Sequence, residues 1–330
     1  MSIEYDLFNG DADGIISVHQ YRMFKPKKTN LVSGIKRDVT LLRHCDSIKN
    51  TKINVFDISV LSNEEYIDSI LKKNNKIIWY DHHETGGRVS ADNIKISVDT
   101  DPNTCTNIIV DKTLGGIYRP WTICGAFGDN LHDKANELNI SFNEEQMKIF
   151  QEVGETLNYN GYGLKIEDLN AHPKDVLLDL MNYESPFEYH SKSELFNKIK
   201  NQMKLDREKL ESSEVLYRSH AGEVLLLPPG QEATRYSGIF SNKKSTDNPD
   251  LAFAIITHGN NNTYRVSIRS PQNNPFGASE LALRFPSGGG REKAAGINEL
   301  KKVDLKKFIY NFCQVYANHE LSILNKKNKK

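Results

Sequence analysis

The sequence predicts an α/β protein: an N-terminal, mainly parallel sheet flanked by helices, followed by a smaller C-terminal domain of mixed α/β construction. Three observations carry that expectation. Short apolar runs alternate with helical stretches in the first part of the chain, a charged helical stretch interrupts this pattern in the middle, and beyond it strands recur between polar turns. At 330 residues the chain also exceeds the roughly 250 to 300 that one hydrophobic core organises, so two domains are expected.

Taken in order, residues 3–8 read as a strand and 15–24 as a helix, then 53–56 as a strand and 64–71 as a helix. Strands over 77–80 and 94–98 follow, and strands that alternate with helices imply crossover connections and a parallel sheet. A more polar helical region spans 142–183. Residues 193–217 then read as a charged helix with few apolar positions, the pattern of a solvated connector. Strands over 224–227, 251–257 and 264–268 are separated by polar turns at 241–248 and 259–262, and a helix over 305–324 ends the pattern. The expected organisation is a domain over 1–190, a helical connector over 191–217, a second domain over 218–325 and a disordered tail over 326–330. No internal repeat is present.

Composition excludes some functions. Lysine plus arginine and aspartate plus glutamate both total 43, so no global positive field exists to grip long nucleic acid. No apolar run is long enough to span a bilayer, and the opening MSIEYDLF lacks the basic flank and apolar run of a signal peptide. A cytoplasmic protein without a membrane partner is expected. Cys45, Cys105, Cys124 and Cys313 show no C-x-x-C spacing, which fits neither a disulfide framework nor a structural zinc site, so reduced thiols are expected.

The chemistry concentrates where strands end. The first strand runs into FNGDADG, with Asp11 and Asp13 on the turn into the helix; the second ends at Asp57, and the third at Asp81, His82 and His83. In a parallel sheet these ends share one rim, where open α/β folds build their sites. Asp129, in ICGAFGD, could join them from a later element. A single such aspartate is commonly a helix cap. All of them together would repel and raise one another's pKa unless a cation neutralised them, so a metal site is the economical account. Oxygen ligands with one or two imidazoles suit manganese, with magnesium, iron or zinc less suited. The acids suffice for two ions sharing a bridging carboxylate, an arrangement suited to phosphoester hydrolysis.

A second cluster lies late in the chain. Gly288, Gly289 and Gly290 give a backbone free to turn its N–H groups toward an anion, and a helix beginning near Lys293 would add its positive end. Arg269, Arg284, Arg291 and Lys293 make a local basic surface around it. Phe276 reads as a core residue before a base-stacking one.

Together, FNGDADG, Asp57, the DHH triplet at Asp81–His83 and Asp129 resemble the successive motifs of the DHH phosphoesterase superfamily. YRVSIRS and SGGGREKAAG resemble the DHH-associated domain of its nanoRNase and cyclic-dinucleotide phosphodiesterase branch. The resemblance implies that Asp11 and Asp57 bind one metal and that Asp13, Asp57, His82 and Asp129 bind the other, two Mn2+ ions with Mg2+ as the alternative. His83 would face the scissile phosphate, Asp81 would orient the neighbouring imidazole, and Arg269, Ser270, Gly288–Gly290 and Arg291 would hold substrate. The chain departs from the family's pattern in places. A histidine ligand common in the family is replaced by Leu7, and Asn9 stands where a related branch carries an acid, as a weaker donor. Arg291 stands where the family usually has histidine. The implied protein is a homodimeric phosphodiesterase of short linear nucleotides, with 5′-phosphorylated dinucleotides split to mononucleotides. The alternatives are a cyclic-dinucleotide phosphodiesterase, an adenosine 3′,5′-bisphosphate phosphatase, or a nucleotide-binding module with attenuated catalysis.

Overall fold

The computed structural model describes residues 4–327, with side chains described through residue 317. The first part contains β1 (Tyr5–Phe8), α1 (Ala12–Phe24), β2 (Asn30–Ser33), β3 (Lys52–Phe56), α2 (Glu64–Leu71), β4 (Lys76–Asp81) and β5 (Ile94–Val98). A helical segment follows: α3 (Thr106–Thr113), α4 (Arg119–Gly128), α5 (His132–Glu137), α6 (Glu144–Gly161), α7 (Pro173–Leu180), α8 (Pro186–Lys192) and α9 (Glu194–Leu210). The remainder comprises β6 (Glu214–Ser219), β7 (Gly222–Leu226), α10 (Gln231–Asp247), β8 (Ala252–His258), β9 (Thr263–Arg269), α11 (Ala278–Leu283), β10 (Gly288–Gly290), β11 (Ala294–Lys301) and α12 (Leu305–Lys327). The chain divides into two compact units between Met203 and Lys204, within α9.

In the first unit β1 to β5 form one parallel sheet in the order β2-β1-β3-β4-β5. Alternation along the strands loads both faces. Leu7, Val55, Ile53, Ile77 and Trp79 pack with Ile67 and Ile70 of α2 on one side. Phe8, Phe56 and Tyr80 are also buried, and Tyr21 of α1 meets Phe56 and Tyr80 at ring distances of 5.3 and 6.0 Å. A buried acid in β1, Asp6, is a structural residue: Arg22 of α1 grips it through Nε at 2.7 Å and Nη2 at 2.5 Å, with Asn54 adding a bond at 2.8 Å. The second unit carries a six-stranded mixed sheet, β10-β11-β9-β8-β7-β6, in which only the β7–β8 pair is parallel. One face of this unit gathers a core that includes Val224, Ile256, Ile268, Leu281 and Phe308.

The α/β class and parallel first sheet are as the sequence implies, and four local expectations change. β2 was not anticipated; it is a four-residue edge strand with little apolar content, recruited by backbone pairing to β1. The helix expected over 193–217 stops at Leu210, and residues 214–219 pair with β7 instead. Residues 241–248, expected as a turn, continue α10 as far as Asp247. Of the tail expected over 326–330, residues 326 and 327 continue α12, and 328–330 lie outside the described residues. None of the helices, among the described residues, is long and apolar enough to cross a membrane.

Glycines set how closely the helices of the first unit approach the end of β1. A Cβ on Gly154 of α6 would stand 2.0 Å from the Cys124 carbonyl oxygen, and one on Gly128 would stand 2.4 Å from the Ala12 Cβ. This close packing brings Asp129, at the C-terminal end of α4, beside the start of α1. Gly154→Ala is therefore expected to destabilise the protein by about 1–3 kcal/mol, the usual range for overpacking. A denaturant midpoint unchanged from the parent would contradict the close approach.

Candidate metal centre

In the sheet order β2-β1-β3-β4-β5, successive connections from β1 leave toward opposite sides, so a crevice opens at the C-terminal ends of β1 and β3. Register decides which residues line it. Phe8 aligns with Phe56 and Phe56 with Tyr80, so the next residue on each strand, Asn9, Asp57 and Asp81, forms a row across the rim. Hydrogen bonds from Asn9 N to Phe56 O (3.2 Å) and from Asp57 N to Tyr80 O (3.0 Å) hold that row. Asp57 has φ of 56°, a conformation that costs a non-glycine residue about 1–3 kcal/mol. Its neighbours over-determine it: the fully buried Trp79 donates its indole N–H to the Ile58 carbonyl at 2.7 Å.

The turn after β1 adds two more acids. Asp11 caps α1, accepting from Gly14 N at 3.2 Å, so the helix-cap reading holds for this residue. Asp13, almost fully buried, accepts from the backbone N–H groups of Thr106 and Asn107, each at 2.7 Å, and thereby meets the positive end of α3. Asp57 accepts from the Thr106 hydroxyl at 3.2 Å. Asp129 completes the cluster.

The two histidines, adjacent in sequence, are held by different partners. His82 Nδ1 lies 3.1 Å from the Thr104 carbonyl oxygen, so it carries the proton, and Nε2 faces Asp57 at 3.5 Å and Asp129 at 4.0 Å. His83 Nδ1 bonds the fully buried Asp81 at 2.7 Å, and its side chain is about half exposed. Ligating atoms of Asp13, His82 and Asp129 lie within 4.8 Å of one another, as do those of Asp57, His82 and His83.

Electrostatics expose how much charge is confined here. Burial, together with the carboxylates of Asp57 and Asp129, pushes the Asp13 carboxyl well above the usual range. Burial and Asp11 likewise raise Asp57, and burial raises Asp129 to about 6 against the opposing charge of Lys36. Burial by itself would lower the His82 pKa, yet the bond to Asp57 and the charges of Asp13 and Asp129 push it up to about 10. Asp11 alone among these acids falls below its ordinary value: burial would raise it, but Lys36 more than offsets that. The centre thus attracts positive charge, and His82 has its Nδ1 already committed in the way metal-ligating imidazoles do. Asp13, Asp57, Asp129 and His82 Nε2 form an oxygen-rich set with one imidazole, which fits a divalent ion.

The structure brings together Asn9, Asp11, Asp13, Asp57, Asp81, His82, His83 and Asp129. Leu7 is fully buried in the core under the sheet and offers no ligand. Asn9 donates through Nδ2 to the Lys36 carbonyl at 3.1 Å, and its buried Oδ1 has no hydrogen-bond partner among the described residues. Lys36 was missed in the sequence. Its signal was the loop after β2: once β2 is paired parallel to β1, the following residues must emerge at the same rim.

In the second unit, the glycines expected to form a loop before a helix instead form β10, paired with β11 across a tight turn at residues 291–294. Gly288 is required because a Cβ there would stand 1.8 Å from the Ala282 carbonyl oxygen, and Gly290 has φ of 138°. The sequence after the glycines is therefore strand, because it pairs with both β10 and β9. Arg291 is exposed on the turn. Ser270, expected against substrate, is 2% exposed, and both its N–H and its hydroxyl donate to the Lys293 carbonyl at 3.1 Å; it buttresses the turn. Arg269 donates to Asn242 Oδ1 at 3.0 Å and to the Ser267 hydroxyl at 3.0 Å. Arg284 is held by Glu280 at 2.6 Å. Phe276 packs against the core and meets Tyr316 at 5.4 Å.

No protein-family model matches this sequence, and no curated protein matches it. Solved structures do. A manganese-bound exonuclease RecJ superposes with a TM-score of 0.55 at 14% identity, over 96% of this chain and 89% of the other. RecJ from Thermus thermophilus in complex with Mn2+ gives 0.57 at 14%, over 93% of this chain and 51% of that one. A pGpG-specific phosphodiesterase, PggH from Vibrio cholerae, gives 0.53 at 11%, over 95% and 98%. The chain shares the fold of these solved structures.

A metal ion held by Asp13, His82 and Asp129 would have to displace the proton that His82 holds up to about pH 10, any proton kept on the raised Asp13 carboxyl and, below about pH 6, the one on Asp129. Mn2+ affinity is therefore expected to rise at least about tenfold per pH unit near neutrality, and more steeply below pH 6. Calorimetric titration across about pH 5.5 to 8 reads this directly; an affinity independent of pH would remove His82 and Asp129 from the ligand set.

Proposed function

We propose that this chain, which has the fold of the DHH phosphoesterases, is a divalent-metal-dependent phosphodiesterase that splits short linear nucleotides, 5′-phosphorylated dinucleotides in particular, into mononucleotides. The observation that carries the reading is the pairing of an acidic, imidazole-bearing centre with a second, half-exposed histidine held by a buried carboxylate. When bound, a divalent ion supplies a Lewis acid for the phosphoryl oxygens and a nucleophile active near neutral pH. We assign manganese, with Asp13, Asp57, His82 and Asp129 as its ligands. The second ion expected from the family would have Asp11 and Asp57, with Lys36 standing against it.

The remaining work falls to the chain's own side chains. Asp81 fixes the tautomer and orientation of His83 by accepting a hydrogen bond from its Nδ1–H at 2.7 Å, leaving Nε2 to exchange a proton or donate a hydrogen bond as charge develops on the phosphate. His83 has a pKa raised by Asp81 and Asp57 against the effect of burial, which favours the donating, protonated form. In the second unit, Arg291 and Arg269 are assigned to an anionic part of the substrate, with the β10 glycines shaping the hairpin and Ser270 supporting its turn.

A short substrate is supported by the even charge balance, which offers no field for tracking long strands. It is supported too by PggH, a phosphodiesterase named for pGpG, whose length this chain matches almost throughout.

Incubated with Mn2+ and matched substrates, the protein is expected to consume a 5′-phosphorylated diadenylate in preference to its cyclic counterpart, adenosine 3′,5′-bisphosphate or a longer strand, and to stop on chelation. Faster cleavage of long strands would overturn the assignment. Asp57→Ala and His82→Ala are expected to remove turnover while leaving a folded protein; normal activity in either would refute the metal assignment. Arg291→Ala is expected to raise KM by roughly tenfold or more, the loss of one charge-assisted hydrogen bond, at nearly unchanged kcat. A fall confined to kcat would contradict its binding role.

A further inference from the structure

Lys36 brings a fixed positive charge into the acidic centre. Its ammonium lies 2.7 Å from Asp11 Oδ2, 3.9 Å from Asp129 Oδ1 and 3.0 Å from Asn158 Oδ1, with the Tyr162 ring centroid at 5.3 Å. These oxygens are the kind of donor set that a hard divalent cation seeks, and here they surround an ammonium.

The placement is built into the backbone. Lys36 donates its N–H to the Gly161 carbonyl at 2.9 Å and accepts from the Asn9 amide at 3.1 Å through its own carbonyl. A Cβ on Gly10 would stand 2.0 Å from the Gly34 carbonyl oxygen, so the turn bearing Asp11 and the loop bearing Lys36 touch backbone to backbone. A Cβ on Gly161 would stand 3.0 Å from the Asp11 Cα, closing the third side. Close backbone contacts at Gly10 and Gly161 thus bring the loop bearing Lys36 against the turn bearing Asp11, and the Lys36 side chain is only a quarter exposed.

Asp129 divides its two oxygens between neighbours: Oδ1 faces Lys36, and Oδ2 faces His82 Nε2 at 4.0 Å. One side of the centre therefore has an imidazole and carboxylates to offer an ion. On the other side Asp11 is already neutralised, and Leu7, a non-ligand, lies in the core. Resting on the metal-centre reading proposed above, we infer that the Lys36 ammonium takes the second cation place, so that each chain holds one divalent ion, at Asp13, Asp57, His82 and Asp129, instead of two. A lysine in that place keeps Asp11 charged and positioned without a metal, and it makes the centre dependent on one binding equilibrium.

The test counts ions without substrate. Metal-stripped full-length protein is dialysed to equilibrium against Mn2+, and bound manganese is measured per chain, alongside Lys36→Arg, Lys36→Gln and Lys36→Ala, with circular dichroism to establish that each variant is folded. One ion is expected in the parent and in Lys36→Arg, and two in Lys36→Gln and Lys36→Ala. Two ions in the parent overturn the inference, and so does a single ion in folded Lys36→Gln and Lys36→Ala. No ion in any of the proteins overturns the metal-centre reading itself, which separates the two failures. The parent count stands as a test even where a variant does not fold.

Discussion

Mutual repulsion among buried carboxylates is the constraint around which the first unit is arranged. Asp11, Asp13 and Asp57 are each no more than 3% exposed and share one rim with Asp129. Like charges this close cannot all stay ionised in a poorly hydrated site without compensation. The compensation comes from several directions: the N-terminal N–H groups of α3 on Asp13, the Lys36 ammonium on Asp11, and the imidazoles of His82 and His83. Tight glycine contacts between α1, α4 and α6 hold these charges at their spacing, since a residue with a side chain at Gly128 or Gly154 would force the helices apart.

The sheet sets the geometry of that cluster. Parallel pairing in register puts Asn9, Asp57 and Asp81 at one level, so a functional row follows from hydrogen bonding that depends on no side chain. From that row the chain separates two consecutive histidines. One is tied to a backbone carbonyl, leaving its other nitrogen for the acidic cluster; the other is tied to a buried carboxylate and remains half exposed. Chemically identical neighbours thus acquire different electronic settings, one imidazole facing the acidic cluster and the other paired with a carboxylate.

The legible parts of the fold were those with strong local patterns. Apolar runs ending in Asp57 and in Asp81–His83 announced buried parallel strands, and FNGDADG announced a strand-to-helix turn with an acid as its cap. Weak patterns misled. β2 carries too little apolar content to stand out, so Lys36 behind it was invisible as a rim residue. Residues 241–248 look like a polar turn and 214–217 like the end of a charged helix, because each has its environment set by distant partners, the sheet surface under α10 and the β7 edge. The Gly-rich segment reads from sequence as an anion-cradling loop before a helix, whereas its glycines form a strand packed against the end of α11 and its own hairpin partner.

By itself the sequence determined the α/β class, the parallel first sheet, the absence of a global charge for long nucleic acid, and the set of acids and histidines that converge. These depend on side-chain type and short-range periodicity, which a linear chain displays directly. Only the tertiary structure decided which nitrogen of His82 faces the acids, that Ser270 is spent on holding a turn, that Asp6 belongs to a structural pair with Arg22, and that Lys36 neutralises Asp11. Each of those is a matter of which groups meet across the fold, and in a buried, weakly screened centre such a meeting shifts the charge state of the groups it touches.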